Sequence, residues 1–347
     1  MIYILLFNTD CFPQQHYFYK GRNYGSESLY NPVYVLLNGS YDIIQLQGHE
    51  RRIFNFDYEA GFKNVFRNLA DPFGVIKRTG TNDFIRTELL PIELTKKGAQ
   101  WWPNYQLHLV GGGMTFSATR EWYEQHNFPQ PFLFSLATIS AYHILNEVIE
   151  NGSYSGDNAD IIADIYFFDI GGIVLFSFDN VNRFFSEDLN LSDWSLQPSL
   201  VLNNNSLHNN GQYFSIKWKL PFVDDWSFFY YFGMNGLTGL SYKFNDSSSV
   251  SIGAGLRAKE LIDVNEATHK KSISMTWNAE IFYDVHNSLL TSIHISGLTD
   301  YTVNLNIYPG LLKIGKFSPG LWLVSQKNGR ILFGITTIWA PGLGIEW

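Results

Sequence analysis

The sequence predicts an α+β chain in which a mainly helical N-terminal region precedes a membrane β-barrel of about 10–12 antiparallel strands. Three observations carry this expectation. The C-terminal half alternates apolar and polar residues with a period of two, most clearly in "SISMTWNAEIFY" (272–283). Turn-forming runs such as "FNDSS", "GLTD" and "SQKNG" separate these segments at short spacing. The first half instead carries helix caps and helical spacing of its apolar residues.

Composition narrows the class. Aromatic residues make up 17% of the 347 and charged residues 16%, against about 25% charged in a typical soluble domain. The balance of 32 acidic to 24 basic residues argues against a broad basic surface, so no nucleic-acid partner is expected. Cys11 is the single cysteine, which excludes an intrachain disulfide and a four-thiolate metal site. Residues 1–20 read as a signal remnant or a disordered N-terminus. "MIYILLFNTDCF" opens on an apolar run without a preceding basic residue. Asp10 stands where a lipidated cysteine needs a small residue before it. The two most apolar segments, 131–145 and 165–178, fall short of the roughly 18 residues of a membrane helix, and the second contains Asp169.

Residues 21–192 form the helical region, expected to plug or floor the barrel. Asn31 caps a helix with Pro32 in its first turn, and Gly48 ends it. Phe62, Val65, Phe66 and Leu69 share a helical face that Pro72 terminates. The segment 104–123 is expected to supply a strand or two, broken at Gly111–Gly113, with His108 a structural histidine. A helical hairpin follows over 131–180. Its first helix starts at Pro131 and ends at Asn151–Gly152, and its second starts near Gly156–Asn158. At about 100° per residue, Ser140, His143, Glu147 and Glu150 share one arc, while Asp157, Asp160, Asp164 and Gly171 share another. Gly171 would let the two backbones approach closely.

Charge sharpens the hairpin. From Glu121 to Asn182 there are nine carboxylates and no Lys or Arg. Buried carboxylates are costly unless paired, protonated or bound to metal. The balancing charge would come from Arg120, Arg183, lumen lysines, a metal or a cationic ligand. Glu147, Glu150, Asp157, Asp160 and Asp164 are the ligand-binding candidates. No cofactor is required by a motif, but a divalent metal would draw on His143, Glu147, Asp160 and Asp164; the double-histidine zinc spacing is absent. Ser140, His143 and Glu147 are the candidate nucleophile, base and orienting acid, without a Gly-x-Ser-x-Gly elbow. The bland alternative is acidic residues at helix starts complementing the dipole.

Residues 193–347 supply the strands. Phe214, Ile216, Trp218 and Leu220 alternate with Ser215, Lys217 and Lys219. Leu240, Tyr242 and Phe244 form the next apolar face, opposite Ser241 and Lys243. Val250, Ile252, Ala254 and Leu256 follow, with Arg257 on the polar side, as Glu280 is in the segment after it. Val303, Leu305 and Ile307, then Ile331, Phe333, Ile335 and Trp339, complete the pattern. Weaker strands surround Trp194, Trp226, Ser288 and Leu321. Aromatics crowd Trp226–Tyr231, as in an interfacial girdle.

Two resemblances follow from these residues. Glu147, Glu150, the Ser155–Gly156 turn, Asp160, Asp164 and Gly171–Gly172 together resemble the acidic hairpin of VanZ-like and related envelope proteins. The sequence departs at His143 and Asn146, where a lysine often precedes the glutamate, and at Phe167, where a glycine is usual. The terminal "PGLGIEW" resembles the C-terminal assembly signal of Gram-negative outer-membrane β-barrels. These resemblances imply a bacterial outer-membrane location, with membrane lipid and other outer-membrane proteins as partners. The expected role is structural, scaffolding or envelope assembly. The rivals are a lipid-modifying enzyme of the acyl-hydrolase type using Ser140, His143 and Glu147, and a transporter of a hydrophobic or cationic solute using the acidic stripe.

Overall fold

The structure is a computed structural model, and it describes residues 15–90, 102–152, 154–265, 270–338 and 340–347. The apolar start through Cys11 and the expected strand residue Trp339 lie outside the described residues. The fold is α+β. Its strands are β1 (Ser192–Asp193), β2 (Ser199–Val201), β3 (Ser206–His208), β4 (Phe214–Lys219), β5 (Trp226–Phe232), β6 (Asn235–Lys243), β7 (Ser248–Asn265), β8 (Lys270–Val285), β9 (Ser288–Ser296), β10 (Val303–Ile307), β11 (Gly320–Ser325), β12 (Ile331–Thr337) and β13 (Ala340–Glu346). Period-two alternation in 272–283 becomes part of β8, whose partner β7 is longer still at 18 residues. The β8–β9 connection is a two-residue turn, His286–Asn287, with φ of 51° and 61°. That left-handed pair matches the twist of the flanking strands.

From β4 to β13 every neighbour pairs antiparallel in chain order. A closed barrel of ten to twelve strands was the expectation, and here the structure differs. The sheet has 13 strands, its order runs from β1 through β4–β13 to β2 and β3, and no ladder joins β1 to β3. The physical reason lies in the extended segment 192–201. Its start pairs antiparallel with β4, extended by the Trp194 N–H donating to Tyr213 O and Leu196 N–H to Gly211 O. Its end pairs parallel with β13 through Gly342↔Ser199, Leu343↔Leu200 and Gly344↔Val201. One short segment thus holds both edges of the meander. Trp347 exchanges both backbone hydrogen bonds with Ile331.

The two faces of the sheet are reversed relative to a soluble layer. One register row runs Trp218, Phe228, Leu240, Ile252, Ile281, Ile293, Leu305, Leu323, Phe333, Ile345 across all ten strands from β4 to β13. Nine of those ten side chains are exposed, the exception being the half-buried Leu305. The opposite face is buried and mixed: it carries Lys217, Ser241, Ser251, Glu280, Ser292, His294, Asn304 and Asn306 beside the apolar Phe229, Leu237, Phe282, Trp322 and Val324. The polar groups pair with one another and with the rest of the chain: Glu280 lies 2.8 Å from His294 Nδ1 and accepts from Asn235 and Asn278. Asn306 accepts from Asn209 and Gln197. Lys219 and Lys243, expected on the polar face, sit exposed at the ends of their strands.

The helical half comprises α1 (Gly25–Leu29), α2 (Pro32–Ser40), α3 (Tyr58–Ala70), α4 (Pro72–Thr79), α5 (Thr81–Phe84), α6 (Gly113–Gln125), α7 (Pro131–Asn151), α8 (Asp160–Ile162), α9 (Ile170–Leu175) and α10 (Asp179–Arg183). Asn31 caps α2 by accepting from Val33 and Tyr34 N–H, as its sequence position predicts. The helix ends at Ser40, and a 3₁₀ turn carries the chain through Asp42–Gln45. Pro72 does not simply stop a helix: it opens α4, where Asp71 accepts from Gly74 N–H. The segment 104–123 is helical, not strand. It is a π-helix over Trp102–Gly112 running into α6.

Residues 25–46 pack on the buried face of the sheet. Asn38 donates to Leu196 O and accepts from Gly211 N–H. Asp42 accepts from Gln212 N–H, and Gln45 accepts from Tyr213 and Arg257. The helices also cover the opposite face locally, where Met114 and Phe176 pack with Phe214 and Phe232 of β4 and β5. Residues 17–19 are held by Glu121, whose carboxylate accepts all three backbone N–H groups.

Candidate functional site

Of the nine carboxylates between Glu121 and Asn182, four have local explanations. Glu121 holds the N-terminal segment. Glu124 faces Arg120 and His16 at 3.5 and 3.4 Å. Asp157, counted on the acidic arc, is exposed and paired with Arg78 at 2.7 Å. Asp179 accepts from Tyr17 OH at 2.6 Å. The other five are Glu147, Glu150, Asp160, Asp164 and Asp169. Asp160 feels the charges of Asp164, Glu147 and Glu150, and Glu147 those of Glu150 and Asp169.

The hairpin that brings them together is real but irregular. Its first arm is α7, as its Pro131 start and Gly152 stop predict, with Gly152 at φ 55°. The second arm starts at Asp160, two residues beyond the expected range, and changes to a π-helix over Ala163–Asp169 before α9. Residues five apart, such as Asp164 and Asp169, sit about 140° apart on an α-helix. Hydrogen bonding from i to i+5 brings them much closer to one face. An α-helical wheel therefore leaves Asp169 off the acidic arc, and the π-helix puts it back.

Asp169 is the centre of the site. Its Oδ1 lies 2.9 Å from His108 Nδ1 and 3.1 Å from His143 Nδ1. One donor atom from each of His108, His143 and Asp169 falls within 4.8 Å of the others. His108 Nε2 faces Asp164 Oδ2 at 3.8 Å, and Asp164 shares a hydrogen bond with Glu147. Two buried carboxyls can share a hydrogen bond only if one keeps its proton. Burial, then the neighbouring carboxylates, pushes Glu147 and Asp164 well above the usual carboxylate range. Burial alone would depress both imidazoles. For His108 burial is the largest single effect, but Asp169, by charge and hydrogen bond, with Glu147 and Asp160 together outweigh it and raise the ring to about 9; for His143 burial wins and lowers it to about 4.

Several sequence expectations change here. Metal candidacy passes from His143, Glu147, Asp160 and Asp164 to His108, His143 and Asp169, with His143 common to both sets. The candidate nucleophile pair does not form. Ser140 is exposed, and neither nitrogen of buried His143 has a hydrogen-bond partner. His108, expected to be structural, instead lies in the site. The available signal was the run Gly111–Gly113 after it, which reads equally as helix–helix contact.

The glycines serve a different approach from the one expected between the hairpin arms: Gly172 brings the second arm against the segment 108–113. A Cβ at Gly172 would lie 2.6 Å from Leu109 O and 3.1 Å from both His108 O and Gly113 N, all backbone atoms. At Gly171 it would meet only the tip of Leu109, at 3.1 Å. Gly172→Ala is expected to destabilise the fold by about 1–3 kcal/mol through overpacking. Gly171→Ala should cost less than about 1 kcal/mol, because a side-chain tip yields and alanine favours helix. Urea-unfolding midpoints of the two variants check this, and equal midpoints would contradict it.

No family model, curated protein or solved structure matches this chain.

Proposed function

We propose that this protein is an outer-membrane β-barrel whose sheet faces lipid with its apolar side, and that it serves a structural or envelope-assembly role. The observation that carries this reading is the ten-strand register row of apolar side chains, nine of them exposed. Contiguous exposed apolar surface of this extent marks a membrane or an interaction site. Its opposite face is buried and holds ionic and amide groups among apolar side chains, which fits a barrel interior filled by its own chain. Segment 192–201, bonded to both β4 and β13, would serve as the seam of the wall. The strands are the membrane-crossing elements in this reading. Of them, β6–β9 reach the roughly 9–11 residues that a crossing needs, with 9, 18, 16 and 9.

Helix α7, with 21 residues and an 18-residue window of mean hydropathy 1.4, is read as a core helix, since it carries buried His143 and Glu147 inward. The packing of residues 25–46 against the buried face supports a filled lumen, and hence a structural role over a pore. The hydrolase alternative loses its support with the unformed Ser140–His143 pair.

The full chain should fractionate with membranes and require detergent for extraction, and it should be silent in planar bilayers. Recovery in solution without detergent would overturn the membrane reading. Stepwise conductance would overturn the structural role and leave the barrel standing.

A further inference from the structure

We propose that His108, His143 and Asp169 form a binding site for a divalent transition-metal ion, zinc being the first to test. The donor set is two imidazoles and a carboxylate, which suits zinc and its first-row neighbours. The three come from three separate elements: the π-helix 102–112, α7, and the last residue of the π-helix 163–169. Two π-helical segments, of 11 and 7 residues, supply two of the three donors.

The geometry fits an ion with small adjustments. Bonds of 2.0–2.1 Å at tetrahedral angles put ligand atoms about 3.3 Å apart. The observed Nδ1–Oδ1 separations are 2.9 and 3.1 Å. With His108 bound through Nδ1, its Nε2 is left facing Asp164 Oδ2 at 3.8 Å, too long for a hydrogen bond but on the side where a carboxylate orients a ligand ring.

An ion pair between His108 and Asp169 would account for those two residues alone. It does not account for His143, 3% exposed: its Nδ1 lies 3.1 Å from Asp169 Oδ1 without the alignment of a hydrogen bond, and its Nε2 has no partner. A neutral imidazole must carry one N–H donor and one acceptor, and leaving a ring nitrogen buried and unmet is costly. Asp169 Oδ2 and Asp164 Oδ1 are also buried without partners. A cation among these atoms satisfies them together and offsets the surrounding carboxylates. The site does not rest on the membrane reading, because its three donors lie in the helical half.

The experiment is a zinc titration of the full chain after chelator treatment, by calorimetry, with bound metal counted after desalting. One zinc per chain is expected. His108→Ala, His143→Ala and Asp169→Asn should each weaken binding by more than the roughly 10–100-fold that losing an outer-shell partner costs. His126→Ala, at an exposed histidine bonded to Trp122 O, should leave it unchanged. Cobalt(II) in place of zinc should give visible ligand-field absorption that the three variants lose. If an alanine variant fails to fold, Asp169→Asn, which preserves size, carries the comparison. Absence of zinc uptake by the wild type, or uptake unaltered in Asp169→Asn and the folded histidine variants, would overturn the proposal.

Discussion

Ile252→Arg is expected to destabilise the protein in a bilayer by about 2–4 kcal/mol if the register row of Ile252 lies at the depth of the bilayer midplane. Ile252 is 57% exposed and stands between Leu240 of β6 and Ile281 of β8. In a water-facing sheet, a charge at so open a position would shift stability by no more than about 0.5 kcal/mol. In the proposed lipid-facing barrel a guanidinium would have to displace lipid along a row that is apolar on both sides. Depth gives a second signature. Tyr242, beside the terminal Lys243 of β6, is also exposed, and Tyr242→Arg should cost only about 0–1 kcal/mol if that strand end lies at the interface. Urea titrations of folding into lipid vesicles measure both. Equal, negligible effects at the two positions would mean that water, not lipid, covers this face.

Lys217→Met should cost about 3–5 kcal/mol, the penalty for stranding one partner of a buried ion pair. Lys217 Nζ bonds Asp284 Oδ2, with both side chains almost fully buried. The ammonium also lies 4.9 Å from the Trp194 ring centroid and 3.3 Å from Asn287 Oδ1. Methionine preserves the length of the stem and removes only the charge. Asp284 would then keep the Asn287 N–H as a partner and lose its cation. The double variant Lys217→Met with Asp284→Leu should recover most of the loss, since replacing a whole buried pair by apolar groups is often close to neutral. Unfolding of the three variants tests this. A single variant as stable as wild type would show that water reaches Asp284.

The strand half was largely legible from the sequence, because a strand's side chains alternate whatever lies on each side. Ile273, Met275, Trp277 and Ile281 could be assigned to one face without knowing what covers it. Asn31, Pro32, Pro131 and Gly152 were legible for a similar reason: caps act within one turn of chain. The helical segment 102–112 was misread because a π-helix leaves no period that an α-helical or strand template recognises. His108 and Asp169 escaped with it. Gly171 was assigned to a contact between the hairpin arms, whereas the close backbone approach is made by Gly172 to the segment 108–113, which no pattern in the hairpin encodes.

Local chemistry along the chain determined which side of each strand is apolar, where most helices start, and that a stretch of nine carboxylates lacks any Lys or Arg. Those features depend on neighbours within a few residues. Only the tertiary structure decided that segment 192–201 joins β4 to β13, that Arg78 rather than a lumen lysine answers Asp157, and that two histidines converge on Asp169. Each of these joins residues dozens to hundreds of positions apart. Such meetings are set by how helices and sheet pack, and no local spacing encodes them.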